Sequence, residues 1–384
     1  MYQSKIDIGE NVMLYLDYAT NCPVSKETLE VFNNITNEYI GNPNSVHKLG
    51  QEAKQVIDVA TREIANILGV KENEIIYTSG ATESNNLAVK GVAKQYKNRG
   101  KHIITTYLEH NSVLASIQHL KEQGFEVDMV DILNNGLIDI NHLKSLLRDD
   151  TILVSIAYVD SEIGIIQPIE EIGGILKNYP NCVFHSDIAQ AVGKISVDLK
   201  DVDLASVTAH KFYGLNGIGM LIKKEHIRLE PLIHGGSSTT IYRSGTPCNA
   251  LVGSIAKSLE IVNKNLDANF EHVKMLNIDL RDELCKYKEV FLNSNDNSVP
   301  FILNFGIKGV RAVTLASELE KFEVYISTKS ACCSTNTISR SVYALTKDKK
   351  LATSCVRVSL SHLTTKDDVK KFMSYFKECY NKLK

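Results

Sequence analysis

The chain has 384 residues, of which 43% are apolar and 23% charged, and its 43 Lys and Arg nearly balance 45 Asp and Glu. That length predicts two lobes with a sizeable core. The balanced charge gives no concentrated basic surface for nucleic acid or an anionic membrane, and no apolar run approaches the roughly 20 residues of a membrane helix.

Residues Met1 to Asn11 mix charged and apolar residues without the apolar stretch of a secretion signal, so the expected location is the cytoplasm. The eight cysteines are too sparse for a disulfide scaffold, and no Cys-x-x-Cys pair suggests a metal or thioredoxin-like site. Only the adjacent Cys332 and Cys333, in a polar stretch, stand apart from ordinary buried thiols.

From Asn73 to about Ile222 short apolar runs alternate with amphipathic stretches. Ile75–Thr78 reads as a strand and Glu83 to Gln95 as a helix. His102–Thr106 is a strand, Ser112 to Gln123 a helix, Glu126 to Ile132 a strand and Ile140 to Arg148 a short helix. Thr151 to Ala157 and Cys182 to His185 are further strands, with a helix from Ile169 to Lys177 between them. Strands at this spacing, separated by helices, predict a mostly parallel sheet covered on both faces, with its ligand site beyond the carboxyl ends of the strands. From Asn249 to about Tyr287 apolar residues keep helical spacing, which predicts one long helix or two in series. Phe301 to Phe305, Glu323 to Ser327 and Val356 to Leu360 then read as strands of a smaller α+β lobe that ends in a helix from Lys366 to Lys382. The expected division is 15–255 for the large domain, with 1–14 and 256–384 forming the small one.

Three segments carry chemistry. Thr78 to Asn85 opens a helix after a strand, where free N–H groups and small residues suit an anion; Ser79 or Thr82 acting only as a helix cap is the alternative. Asp187 stands at a strand end with Gln190 one turn on, able to hold a cationic heterocycle nitrogen or merely to cap a helix. Lys211 follows a β-type run between His210 and a glycine-rich turn, a setting in which burial depresses a lysine pKa as Schiff-base chemistry requires. A lysine, a ring-nitrogen acid and a phosphate-gripping helix start are together the parts of a pyridoxal phosphate site.

In this order the motifs resemble those of NifS/IscS-type cysteine desulfurases, within the class V aminotransferase group of pyridoxal phosphate enzymes. The resemblance runs from about Leu14 to about Lys371. It rests on Leu16-Asp17-Tyr18-Ala19, Gly41 to His47, Ser79 to Asn85, Glu109 to Val113, Glu162-Ile163-Gly164, Asp187 with Gln190, His210-Lys211-Tyr213-Gly214, Arg243 to Thr246, Ser330-Ala331-Cys332 and Arg357 to Leu360. It implies fold type I of the pyridoxal phosphate enzymes and conversion of L-cysteine to L-alanine, with sulfur passed to an enzyme persulfide. Selenocysteine lyase, aminotransferase or a non-catalytic binding protein on the same fold are the alternatives.

By the same resemblance Lys211 would bind the cofactor covalently and act as acid and base. Asp187 would pair with the ring nitrogen, His110 would stack on the ring, and Gln190 and Ser161 would face its phenolic oxygen. Ala81, Thr82, Thr208 and His210 would hold the phosphate, joined by Thr246 from the neighbouring subunit of a homodimer. Arg357 and Asn42 would bind the substrate carboxylate, and Cys332, on a loop from Thr328 to Ser341, would be the nucleophile. The sulfur acceptor would be an iron–sulfur scaffold or a tRNA-thiolation protein.

Several positions depart from the family pattern: Lys329 for a glycine, Cys333 for Thr or Ser, Asp160-Ser161 for an Asn pair, Asn21-Cys22 for a Thr pair, and Ser237 to Tyr242 after His234-Gly235-Gly236. Cys333 is either a small polar replacement or a participant in sulfur handling.

Overall fold

The computed structural model of the chain describes residues 13–328 and 338–384. A two-residue strand, β1 (Leu14–Tyr15), leads to two helices outside the expected set, α1 (Lys26–Glu38) and α2 (Lys48–Leu68). Ser25 caps α1 by accepting from Thr28 N–H, and α2 buries Ala53, Ile57, Ala60 and Ile64 at helical spacing before ending at Gly69 in the left-handed region, φ 64°.

There follow β2 (Ile75–Thr78), α3 (Ala81–Tyr96), β3 (His102–Thr106), α4 (Asn111–Glu122), β4 (Glu126–Val130), α5 (Ile140–Leu146), β5 (Thr151–Ser155), α6 (Ile169–Leu176), β6 (Val183–Asp187), β7 (Leu204–Thr208) and β8 (Gly219–Lys223). The seven strands form one sheet in the order β2-β8-β7-β6-β5-β3-β4. Pairings from β4 to β7 are parallel, and β8 lies antiparallel between β2 and β7. The sheet is thus mostly parallel, as expected, with β8 as an additional strand. Its central strands are buried throughout and rich in Val, Ile and Leu, as a sheet covered on both faces requires.

The expected helical stretch after Pro247 is two helices in series, α7 (Asn249–Lys264) and α8 (Leu266–Leu284), and α7 packs on α1 and α2. Residue 255, the boundary read from sequence, lies within α7. Next come β9 (Val290–Leu292), β10 (Ile302–Ile307), α9 (Ala312–Glu320), β11 (Val324–Tyr325), α10 (Arg340–Thr346), α11 (Lys349–Ser354), β12 (Cys355–Ser359) and α12 (Lys366–Leu383). A second, antiparallel sheet has the order β12-β10-β9, while β1 pairs in parallel with β11. Of the stretch expected as a loop from Thr328 to Ser341, Arg340 and Ser341 belong to α10, which Ser339 caps by accepting from Val342 N–H.

The segment after β1 straps the two sheets together. Ser359 N–H of β12 donates to Leu16 O at 2.8 Å, and Cys22 N–H donates to His210 O at 2.8 Å, just past β7. At the other side of this edge, Gly219 sits opposite both Thr78 and Thr208. A Cβ on Gly219 would stand 2.4 Å from Val207 O and 2.6 Å from Gly80 Cα, both backbone atoms. Gly219→Ala is therefore expected to cost roughly 1–3 kcal/mol of stability and to displace the turn at Gly80, measured by denaturant unfolding of both chains.

Candidate active site

Because β2 runs in the same direction as β7, the carboxyl ends of β2, β3, β5, β6 and β7 meet at one edge of the sheet. A cleft of about 390 Å³ opens there. Ten of the expected site residues line it: Ala81, Thr82, His110, Ser161, Asp187, Gln190, Thr208, His210, Lys211 and Arg357. Asn42 and Thr246 are exposed and outside it, and Cys332, Cys333 and Lys329 lie outside the described residues.

Lys211 ends a single helical turn after β7 and donates its Nζ–H to Ala19 O of the strap. Burial, with the positive charges of Arg357 and Lys194, pulls its amine down to about 7. No carboxylate in the described residues ion-pairs with it. The backbone around it is fixed from outside: Phe212 O accepts from Ser258 Oγ at 2.5 Å, and Tyr213 O from Ser25 N–H at 3.0 Å. Tyr213 itself holds φ 65°, a strained value for a side chain of that size, and its hydroxyl is 2.6 Å from Ser361 Oγ.

On the opposite side Asp187 ends β6. Asn85 Nδ2 donates to its Oδ2 at 2.7 Å, and Ala189 N–H donates to its Oδ1 at 3.0 Å. The same Asn85 amide donates to Ser112 Oγ at 2.8 Å, and Ser112 Oγ lies 2.8 Å from His110 Nδ1. Ser112 N–H also donates to His110 Nδ1 at 3.2 Å, so that nitrogen is the acceptor and Nε2 carries the proton in the neutral ring. Burial lowers the His110 pKa despite the nearby Asp187 charge.

The expected anion cradle lies at the start of α3. Gly80 is its cap, at φ 150° and without a side-chain capping bond, so neither Ser79 nor Thr82 plays the simple capping role. The first backbone bond into the helix runs from Ser84 N–H to Gly80 O at 3.1 Å, which puts the N–H groups of Ala81 and Thr82 ahead of the ladder and facing a cleft they line. Opposite them, Thr208 Oγ1 is 3.0 Å from His210 Nδ1, whose pKa falls to about 4 through burial and the charges of Lys211 and Lys194.

Arg357, 1% exposed, enters from the middle of β12. Its Nη2 donates to Asp17 Oδ1 at 2.8 Å and Thr20 Oγ1 at 2.7 Å, and its Nη1 donates to Ser161 O at 2.7 Å. Among the described residues its Nε is buried without a partner, as is Gln190 Oε1, whose amide nitrogen donates to Ala19 O at 2.8 Å. Ser161 thus meets Arg357 through its carbonyl. Asn85, Ser112, Thr20 and Asp17 as supports of Asp187, His110 and Arg357 were not assigned from sequence, although Asn85, Ser112 and Asp17 lie inside the quoted motifs.

A buried lysine of lowered pKa, an acid ending the neighbouring strand and the free N–H groups of a helix start thus share one cleft at the sheet edge of an α/β fold. The class-V aminotransferase family profile matches residues 14–372. Over 376 residues the chain is 38% identical to the cysteine desulfurase IscS of Dictyoglomus turgidum, covering 97% of this chain and 95% of that one. It is 41% identical over 366 residues to the IscS of Buchnera aphidicola subsp. Acyrthosiphon pisum, covering 93% and 90%. A solved NifS-like protein superposes with a TM-score of 0.92 at 32% identity, across 97% of this chain and 100% of that one. The chain belongs to the class-V aminotransferase family, among its IscS and NifS-like members.

Beside His110, Glu109 Oε1 accepts from Thr106 Oγ1 at 3.0 Å and from Ala157 N–H at 2.8 Å, joining the ends of β3 and β5. Burial, with the Asp187 charge, pushes its carboxyl from 4.5 up to about 8. The folded chain therefore keeps a proton that the unfolded chain releases, and stability falls as pH rises from about 4.5 to about 8, then levels. Glu109→Gln keeps the carbonyl acceptor without the ionisation. Denaturant midpoints of the variant, relative to wild type, are expected to rise across that interval.

Proposed function

We propose that this chain is a pyridoxal phosphate-dependent cysteine desulfurase that converts L-cysteine and the Cys332 thiol to L-alanine and a Cys332 persulfide. The observation that carries the reading is the cleft itself: Lys211, Asp187, His110, Arg357 and the α3 start, each expected from sequence, converge on one cavity. The group fits these residues. The free N–H groups at Ala81 and Thr82, with Thr208 and His210, suit the phosphate; the Asp187 carboxylate suits a protonated ring nitrogen; and the unpartnered Gln190 Oε1 and Arg357 Nε are polar atoms awaiting a ligand.

When bound, pyridoxal phosphate supplies an electron sink conjugated with the substrate's α-carbon. The chain's residues do the rest. Arg357 orients the substrate carboxylate through N–H groups not committed to Asp17, Thr20 or Ser161. Asp187, held by Asn85, keeps the proton on the ring nitrogen. The Lys211 amine, neutral in part at pH 7, takes the α-proton at Nζ and returns one later. His110 offers its Nε2 proton from a ring fixed by Ser112, and Ser161 lies where an amide is usual. Cys332 acts as a thiolate on the substrate sulfur and then carries that sulfur to a protein acceptor, an iron–sulfur scaffold or a tRNA-thiolation protein.

The same proposal includes the two-domain division, 15–255 against 1–14 with 256–384, and a homodimer in which Thr246 completes the partner's phosphate site. Supporting the dimer, Ile40, Val46 and Ile241 are exposed by 78%, 90% and 64%. The Asn44–Ser238 hydrogen bonds at 3.1 and 3.3 Å bring the segments that carry Val46 and Ile241 together. Among the described residues no helix is long and apolar enough to cross a membrane. We place the activity in the cytoplasm, where a reactive thiol stays reduced.

Anaerobic turnover of L-cysteine with a thiol reductant, quantifying alanine and sulfide together, tests the activity. Equal yields are expected from the wild type, with both lost in Cys332→Ala while the yellow cofactor is retained. Cofactor without either product in the wild type would contradict the reading and point to another amino acid substrate. Arg357→Lys is expected to raise KM for L-cysteine at least tenfold, because the planar fork is lost. Sedimentation is expected to give a dimer, with Thr246→Ala weakening cofactor retention; a monomer that binds cofactor fully would contradict the role of Thr246.

A further inference from the structure

Beneath the cleft lies a lysine that the proposed chemistry leaves unused. After β6 the chain turns tightly, with Gly193 at φ 74° because a Cβ there would press within 2.9 Å of Phe212 Cβ and 3.0 Å of Val262. The turn delivers Lys194, only 5% exposed, to the underside of the Lys211 turn. Its Nζ donates to Lys211 O at 3.4 Å, and Cys22 Sγ donates to the same carbonyl at 3.4 Å. Among the described residues no carboxylate is within ion-pair distance of Lys194. A buried, unpaired cation is costly, and this one stands against the backbone of the residue whose amine must lose its proton.

We propose that Lys194 is a positioning residue for Lys211: it grips the Lys211 carbonyl, and its ammonium charge keeps the Lys211 amine unprotonated and ready to capture the cofactor aldehyde. The inference rests on the reading of Lys211 as the cofactor lysine.

The charges around Lys211 come from four directions. Arg357 on β12 and Lys194 after β6 disfavour a further cation, whereas Asp17 on the strap favours one; Cys22, its thiol pKa raised by burial, stands there as a donor. His210 at its side and His110 at the start of α4 both have lowered pKa values, and each feels the Lys211 charge. Arg357 already faces Asp17 at 2.8 Å, which offsets part of its field. Lys194 has no such partner. Burial lowers its own pKa to about 8, less far than that of Lys211, and Cys22 and Arg357 act on it in opposite senses.

The test reads the titration of Lys211 in the cofactor-free full chain, by trace acetylation across pH and peptide mass spectrometry, in Lys194→Met, Lys194→Gln and Lys194→Arg. Met removes donor and charge, Gln keeps a donor without charge, and Arg keeps both. The wild-type midpoint is expected near 7. It should rise to about 8 or above in the Met and Gln variants, and slow cofactor capture at neutral pH roughly fivefold, because the neutral fraction falls by that factor. The Arg variant is expected to behave as wild type. If the Met chain does not fold, the Gln chain decides. A Gln or Met variant that titrates as wild type overturns the proposal, as does an Arg variant that shifts with them. Lys211→Ala separates the two readings: a chain lacking Lys211 that takes up pyridoxal phosphate as wild type overturns the functional reading, whereas unchanged Lys194 variants in a Lys211-dependent chain overturn only this one.

Discussion

The site is organised around one constraint: an amine must be held out of water without a carboxylate beside it. Lys211 meets this by donating to a neutral carbonyl, Ala19 O, while Arg357 and Lys194 supply positive charge around it. A lysine in that state is unfavourable unless its backbone cannot move away. That explains why four successive carbonyls, from His210 to Tyr213, are each held by another part of the chain: Cys22 N–H, Lys194 with Cys22 Sγ, Ser258 and Ser25. The strap from Leu14 to Ser25 is the common element. It contributes two of these contacts through its backbone, supplies Ala19 O, and sets Asp17 against Arg357.

The negative side of the cleft is built to the opposite specification. Asn85 Nδ2 and Ala189 N–H donate to the two oxygens of the Asp187 carboxyl group. Glu109, its carboxyl pushed up to about 8 by burial and the Asp187 charge, serves as a brace between β3 and β5. Two carboxyl groups at one sheet edge thus serve different purposes, Asp187 facing the cleft and Glu109 bracing the strands behind it. Asn85, Ser112 and His110 form a chain of hydrogen bonds that ties the acid to the imidazole, so a change in either is felt by both.

Much of this was legible in the sequence. The alternation from Ile75 to His185 gave a parallel sheet with most of its strands, and the residues at strand ends proved to share one cleft. What escaped was of two kinds. The α2 pattern of Ala53, Ile57, Ala60 and Ile64 is a plain amphipathic signal in a segment left unassigned. β8 was hidden because its glycine-rich approach, from Gly214 to Gly219, reads as part of the lysine motif. Lys194 and Cys22 are a different case, since each becomes meaningful only when the turn after β6 and the strap meet beneath Lys211. Asp160, buried and with a carboxyl pushed up to about 6 by burial and by Glu162, accepts from Ser341 Oγ at 2.8 Å. It anchors the start of α10, a contact across 181 residues of sequence that no local pattern reveals.

The claim on which everything else depends is that Lys211, among all the lysines, is the residue chemically prepared for an aldehyde. Borohydride reduction of the chain after incubation with pyridoxal phosphate, followed by peptide mass spectrometry, tests it directly. The expected result is a single stable pyridoxyl adduct on Lys211, absent when phosphate at high concentration competes for the α3 start. An adduct distributed over surface lysines, or placed on Lys194 with Lys211 unmodified, would contradict it.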